Sequence, residues 1–281
     1  MRIDLHVHTT ASDGTLTPSQ VVTAAADKSV RAIAITDHDS VEGVSEALAA
    51  ASSRPDAPIV IPGVELSSVH EDRDVHILGY FVDHTDARFL EHLRDLREAR
   101  TRRAEAIVAA LAAAGYTIEM RHVLALSAGA AVGRSHVARV LVEQGLADDV
   151  TDAFKRLLGR GRPFYVPKDV RTPEAAVRLI RSAGGVPVLA HPGVTGGDDI
   201  TAELVRHGLA GIEAYHAEHD PDQRAHYAAL AAELGLIVTG GTDFHDPTAP
   251  TGDLASVKVP DGVLEALFAA AGRVLPSDTA P

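Results

Sequence analysis

The chain has 281 residues, 46% hydrophobic and 23% charged, which suits one large α/β domain or a domain with an insertion. It contains no cysteine, which excludes disulfides and thiolate metal sites, so any metal must be held by nitrogen and oxygen. A formal net charge of −13 argues against wrapping duplex nucleic acid, and no apolar run reaches the roughly 18 residues of a membrane span, so a cytoplasmic protein is expected.

Residues 2–8 read as a strand. In the stretch IDLHVHTTASD (3–13), His6 and His8 fall two apart and share one face, while Ile3, Leu5 and Val7 take the other. Asp13 follows five residues after the second histidine. Neutral imidazole is a common metal ligand, and a carboxylate adds a hard anionic oxygen. A surface strand can also carry such a pair with no function. A helix follows over 18–28, with Thr17 as its N-cap and Pro18 in its first position. Residues 32–36 form a short apolar strand that runs into Asp37-His38-Asp39. A helix is expected over 41–51 and a loop over 53–58. Strands at 59–67 and 74–81 carry Glu65 and His76. This alternation predicts a parallel sheet or barrel.

The rhythm changes after Asp83. Residues 86–114 read as a long helix, followed by helices at 119–127, 135–144 and 149–158 with no strand between them, and by the loop LGRGRPFYVPK (158–168). Residues 99–171 are therefore expected to form an all-helical insertion between barrel parts 1–98 and 172–281. Alternation then resumes: a helix at 173–183, a strand at 186–190 ending in His191-Pro192, a helix at 200–207 and a strand at 211–216. A helix at 221–234 precedes a strand at 236–240 that runs into Thr242-Asp243-Phe244-His245. A further strand is expected at 254–260 and a last helix at 261–272. Five clusters of histidine and carboxylate thus fall after strands, in one phase of the alternation. Carboxyl ends of parallel strands are where such folds build sites.

These motifs resemble the polymerase-and-histidinol-phosphatase (PHP) family. The resemblance rests on HVH (6–8) with SDG (12–14), TDHD (36–39), PGVE (62–65), VHILGY (75–80), AHP (190–192) and TDFH (242–245). It implies an α/β fold, a distorted (β/α)7 barrel, holding two or three divalent metal ions. By match to the motifs, one metal would take His6, His8, Glu65 and Asp243. A second would take His76 and His191 with Glu65 bridging, and a third Asp13, His38 and His245. Asp39 or Asp4 would orient histidines. Ligands of this type suit Mn, Fe or Zn.

The helical insertion, with GRSHVARVLV (133–142) and YVPK (165–168), resembles the PHP subgroup that acts on nucleotides. Members remove the 3′-phosphate of nucleoside 3′,5′-bisphosphates, and some trim short single-stranded RNA from its 5′ end. The resemblance implies that Arg134 and His136 help bind the 5′-phosphate side, that Lys168 is another phosphate contact, and that His216 in EAYHAEH (213–219) lies by the scissile phosphate as proton donor or phosphate ligand. The residues by themselves also allow Arg134 and His136 to serve a helix start. Phe164 and Tyr165 fit base stacking or packing equally, and His219 reads as a surface residue. The implied activity is a metal-dependent phosphoesterase in which a metal-held hydroxide attacks phosphorus. Two alternatives stay open: a phosphomonoesterase of a small metabolite such as histidinol phosphate, and a non-catalytic metal- or nucleotide-binding module.

Overall fold

A computed structural model describes residues 2–71, 73–127, 131–167, 171–249 and 252–276. Seven strands are present: β1 (Ile3–Val7), β2 (Ala32–Ile35), β3 (Ile59–His70), β4 (Arg73–Tyr80), β5 (Val186–Leu189), β6 (Gly211–His216) and β7 (Ile237–Gly241). The helices are α1 (Pro18–Asp27), α2 (Val44–Ser52), α3 (Ala87–Ala113), α4 (Met120–Ser127), α5 (Arg134–Glu143), α6 (Val150–Ala153), α7 (Pro173–Ser182), α8 (Pro192–Thr195), α9 (Asp198–His207), α10 (Pro221–Glu233) and α11 (Val263–Ala270). None of the described helices is long and apolar enough to cross a membrane. The start signals act as expected in α1. The Thr17 hydroxyl accepts from Gln20 N–H, the Gln20 side chain accepts from Thr17 N–H, and Pro18 occupies the first turn.

The strands make one sheet in sequence order, and the chain just past β7 nearly closes it into a barrel. His8 N–H donates to the Phe244 carbonyl at 2.8 Å, and Phe244 N–H donates to the His6 carbonyl at 3.2 Å. Asp4 fastens this seam. Its carboxylate is fully buried and accepts from Thr242 N–H at 2.9 Å, the Thr242 hydroxyl at 2.6 Å and Ala255 N–H at 2.7 Å. Asp4 also accepts from His6 N–H at 3.4 Å, so it bears on that histidine through backbone and not through its ring. Asp39, expected to orient a histidine, accepts instead from Ser67 N–H at 2.8 Å and from Arg100.

Two expectations about the sheet are overturned. β4 runs antiparallel to both β3 and β5, so the barrel is not all-parallel. Only two residues separate His70 from Arg73, and a parallel pair needs a crossover of a dozen or more. The reversal keeps His76 with the other clusters, because the first half of β4 lies beside the carboxyl end of β3. The segment 254–260 is not a strand. Closure by residues 242–244 has already used the edges of β1 and β7, and Val257 and Val259 instead pack under α11.

Every secondary-structure element among the described residues between β4 and β5 is helical. α3 serves two cores. Phe89, Leu93 and Leu96 pack with the barrel, whereas Ala104, Ile107, Val108 and Leu111 pack with α4, α5 and α6 in a second apolar cluster. The helix expected over 149–158 divides into α6 and a π-helical turn at Phe154–Leu158. There the Phe154 carbonyl accepts from Gly159 N–H at 2.8 Å, one residue beyond α-helical spacing.

Candidate active site

The nine histidines and carboxylates picked out as metal ligands come from β1, the loops after β1, β2, β5 and β7, and the strands β3 and β4, and they meet at one end of the barrel. Their organising group is Glu65. Its Oε2 lies 3.4 Å from His6 Nε2, 3.3 Å from His8 Nε2 and 2.9 Å from His38 Nδ1. Its Oε1 lies 2.7 Å from His76 Nδ1 and 3.0 Å from His191 Nε2. Asp243 Oδ1 completes the first group at 3.3 Å from His6 Nε2 and 3.0 Å from His8 Nε2. A cation held at about 2.0–2.2 Å by nitrogen and oxygen puts neighbouring ligand atoms roughly 3–3.5 Å apart, which is the spacing of this quartet. His6 Nε2, His8 Nε2, Glu65 Oε2 and Asp243 Oδ1 are buried and make no well-directed hydrogen bond. Buried polar atoms aimed at a common point without partners are what a cation site requires. A second group gathers Asp13, His38 and His245, with His245 Nε2 3.3 Å from Asp13 Oδ1. His8 also joins it, stacked on His245 at 4.1 Å between ring centroids.

The far nitrogens of these rings are occupied, which fixes the tautomers. His245 Nδ1–H donates to the Asp243 carbonyl at 2.8 Å. His8 Nδ1 lies 3.4 Å from the Ser12 hydroxyl, which donates to Asp37 at 2.6 Å. His6 Nδ1 meets both oxygens of Glu213, at 3.1 and 3.2 Å. These three rings therefore turn Nε2 toward the cluster, whereas His38 and His76 turn Nδ1 to Glu65.

Charge follows geometry. Burial by itself would raise the Glu65 carboxyl, but His38, His76 and His6 outweigh it and hold it well below the ordinary carboxylate range. Burial opposes the charged form of His245, yet Asp13 and Asp243 raise its pKa to about 10. The anions that hold protons here are the ones that would hold a divalent cation.

Beside the cluster a cavity of about 110 Å³ lies between the strand ends and the helices α3 and α5. Asp13, His38 and His76 line one side, and Arg100, Arg103, Arg134 and Phe154 the other. A space of this volume has room for several waters, so a phosphoryl-sized group fits. Arg103 donates through Nε to the Val166 carbonyl at 2.7 Å, and its buried Nη2 has no hydrogen-bond partner among the described residues. Burial and the neighbouring Arg134 lower its pKa to about 10. Arg134 donates to Asp74 at 2.8 Å and lies over the rings of Phe154 and Tyr165. Two crowded guanidiniums with a spare buried donor favour an anion between them.

The profile of the PHP domain family matches residues 4–161. The chain belongs to the PHP domain family. It is 39% identical over 249 residues to the 5′-3′ exoribonuclease Rnm of Escherichia coli, covering 87% of this chain and 85% of that one. It is 36% identical over 254 residues to the 3′,5′-nucleoside bisphosphate phosphatase of Chromobacterium violaceum, covering 87% of each. A crystal structure from Bifidobacterium adolescentis, assigned as a metal-dependent phosphoesterase, superposes with a TM-score of 0.88 at 30% identity over 95% of this chain and 96% of that one. The chain is thus a metal-dependent phosphoric ester hydrolase of the PHP type.

In this PHP chain α5 touches the cluster itself. Ser135, second residue of α5, donates its hydroxyl proton to Asp13 Oδ2 at 2.7 Å. The neighbouring His136 is buried, and its Nδ1 accepts from Gly133 N–H at 3.0 Å, so it secures the start of α5. Lys168 lies outside the described residues. Phe164 packs on Tyr116 against the apolar cluster of α3 to α6, and Phe154 lines the cavity. His216 is buried with Nε2 3.8 Å from Asp243 Oδ2. His219 is buried as well, which corrects its surface reading. The turn after β6 folds it inward, where Nδ1–H donates to the Ala214 carbonyl at 2.9 Å and Nε2 accepts from Gly193 N–H at 3.1 Å. Sequence reasoning missed Glu213, Arg100, Arg103 and Ser135. Glu213 was visible as a lone carboxylate in the strand of 211–216, and Arg100 and Arg103 as an i, i+3 pair on one helix face.

The PHP cluster has a pH signature. A histidine whose folded pKa is raised gives stability that is fully present below its unfolded value, near 6.5, and lost as pH rises through the folded value. For His245 that window runs from about 6.5 to about 10. The chelator-treated protein is expected to melt at progressively lower temperature from pH 7 to pH 10. Manganese affinity should rise over the same window, because the cation displaces these protons. Calorimetric melts with EDTA and titrations with Mn²⁺ check both slopes, and a flat pair of profiles would contradict the assignment of charge.

Proposed function

We propose that this chain removes the 3′-phosphate from nucleoside 3′,5′-bisphosphates and, through the same site, releases mononucleotides from short 5′-phosphorylated RNA. The observation that carries this reading is the cavity that runs from Asp13, His38 and His76 to the guanidiniums of Arg103 and Arg134. One phosphate anchored at the arginines leaves the next over the histidine–carboxylate cluster. The names borne by the Escherichia coli and Chromobacterium violaceum relatives support the same substrate class.

In this reading residues 99–171 form the substrate-binding insertion between barrel parts 1–98 and 172–281. His6, His8, Glu65 and Asp243 would hold one divalent ion, His76 and His191 with Glu65 a second, and Asp13, His38 and His245 a third. Mn, Fe and Zn all suit these ligands. Such ions, when bound, neutralise phosphoryl oxygens and make water acidic enough to attack at neutral pH. The protein's own groups do the rest. Arg103 and Arg134 fix the 5′-phosphate, aided by Lys168, while His136 keeps α5 and so Arg134 in place. His216 Nδ1 accepts from Glu218 N–H at 3.2 Å, so its neutral ring carries the proton on Nε2, the nitrogen turned toward Asp243. Through Nε2–H, His216 then hydrogen-bonds the phosphoryl group or the leaving 3′-oxygen.

Phosphate release in Mn²⁺ from 3′-phosphoadenosine 5′-phosphate, with 3′-AMP as control, tests the reading. The expected result is a kcat/KM at least about 30-fold higher for the bisphosphate, since a lost charge-assisted phosphate contact costs about 2–5 kcal/mol. Equal rates would remove the 5′-phosphate from recognition and leave the substrate class unassigned.

A further inference from the structure

We propose that Glu213 is the positioning residue of the cation cluster, holding two ligand histidines in place through one buried carboxylate. The inference rests on the reading that His6, His8, Glu65 and Asp243 bind a cation. Glu213 is fully buried on β6. Strict alternation would point Glu213 and His216 to opposite faces. A bulge in the pairing of β6 with β7, between Glu213 and Tyr215, turns both inward.

Both Glu213 oxygens are committed away from the centre of the cluster. Oε1 and Oε2 lie 3.1 and 3.2 Å from His6 Nδ1, and Oε2 also accepts from His191 N–H at 2.9 Å. The first contact keeps the proton on Nδ1 and leaves Nε2 free to ligate. The second holds a strained peptide. His191 has φ 27° and ψ 55°, a left-handed conformation that non-glycine residues avoid. Strain of this kind persists only where the surroundings enforce it. His6 belongs to one proposed ion and His191 to the next, so one side chain sets the geometry of both. With its oxygens spent on Nδ1–H and a backbone N–H, Glu213 orients ligands and does not serve as one.

Glu213→Gln in the full chain tests this. The amide keeps the volume but has one acceptor oxygen, so either His6 or His191 faces an N–H₂ group. Isothermal titration of the metal-stripped variant with Mn²⁺ is expected to show affinity weakened 10–100-fold, with an unchanged far-UV circular dichroism spectrum and an altered visible spectrum of the Co²⁺-loaded protein. Glu213→Asp retains the charge but is one methylene too short to span both partners, and it is expected to lose affinity as well. Wild-type Mn²⁺ affinity and Co²⁺ spectrum in either folded variant would overturn the proposal, as would unfolding of both variants, which marks a structural role. His6→Ala is titrated in parallel. If it binds Mn²⁺ like the wild type, the cation reading fails. If it loses Mn²⁺ while Glu213→Gln does not, only the positioning role fails.

Discussion

Glu65→Gln is expected to lower kcat about 10³-fold or more on any phosphoester the protein accepts. Five imidazoles point at this one carboxylate, three at Oε2 and two at Oε1. A glutamine in the same place offers one neutral acceptor and one donor. Whichever way the amide turns, one group of imidazoles loses its anion and gains a clashing N–H. Electrophilic assistance by a metal contributes several kcal/mol to the barrier, and each 1.4 kcal/mol is tenfold in rate. Loss at either group therefore accounts for about 10³-fold. Bound manganese, measured by elemental analysis after desalting, should fall in parallel. A variant that keeps its rate within tenfold would remove Glu65 from the centre of the site.

The second large effect is selective for one substrate. Arg103→Ala is expected to lower kcat/KM for a nucleoside 3′,5′-bisphosphate about 10²-fold, mostly through KM, and to change that for 3′-AMP less than about threefold. The spare Nη2 of Arg103 is buried in the cavity wall, and truncating a charged donor that meets a desolvated phosphate costs about 2–5 kcal/mol. Arg134→Ala should act in the same direction but less strongly, because Asp74 already takes part of its charge. Substrate kinetics on the two esters separate the cases. Equal losses on both would mean that the arginines support the fold and do not read the 5′-phosphate.

Much of this site was legible in the sequence because it lies on regular elements. Alternation alone placed His6 and His8 on one face, and the phase of strand and helix carried Asp13, His38, Glu65, His191 and Asp243 to one end of the barrel. What stayed hidden depends on irregularity or on distance. The antiparallel β4 follows from a two-residue connection, which periodicity does not register. Glu213 reaches the cluster only through a bulge, and a bulge leaves no mark on residue spacing. Arg100 and Arg103 fall in a long arginine-rich helical stretch, and nothing in their spacing marks the cavity that they line. The missing strand at 254–260 failed for a global reason: a nearly closed barrel has no edge left for an apolar segment to join.

The hydrogen bond from Ser135 to Asp13 bears on how such enzymes can be rebuilt. A helical insertion looks like a cassette, to be exchanged for another that reads a different substrate. Here the cassette carries part of the reaction centre's own wiring. Arg134 and Ser135 are adjacent, so the helix start that faces the cavity also grips a carboxylate of the cluster. A chimera that imports a foreign insertion without a hydroxyl at this point would change the reactive centre along with its specificity. Engineering by module exchange therefore has to move its boundary to include the partners of Asp13.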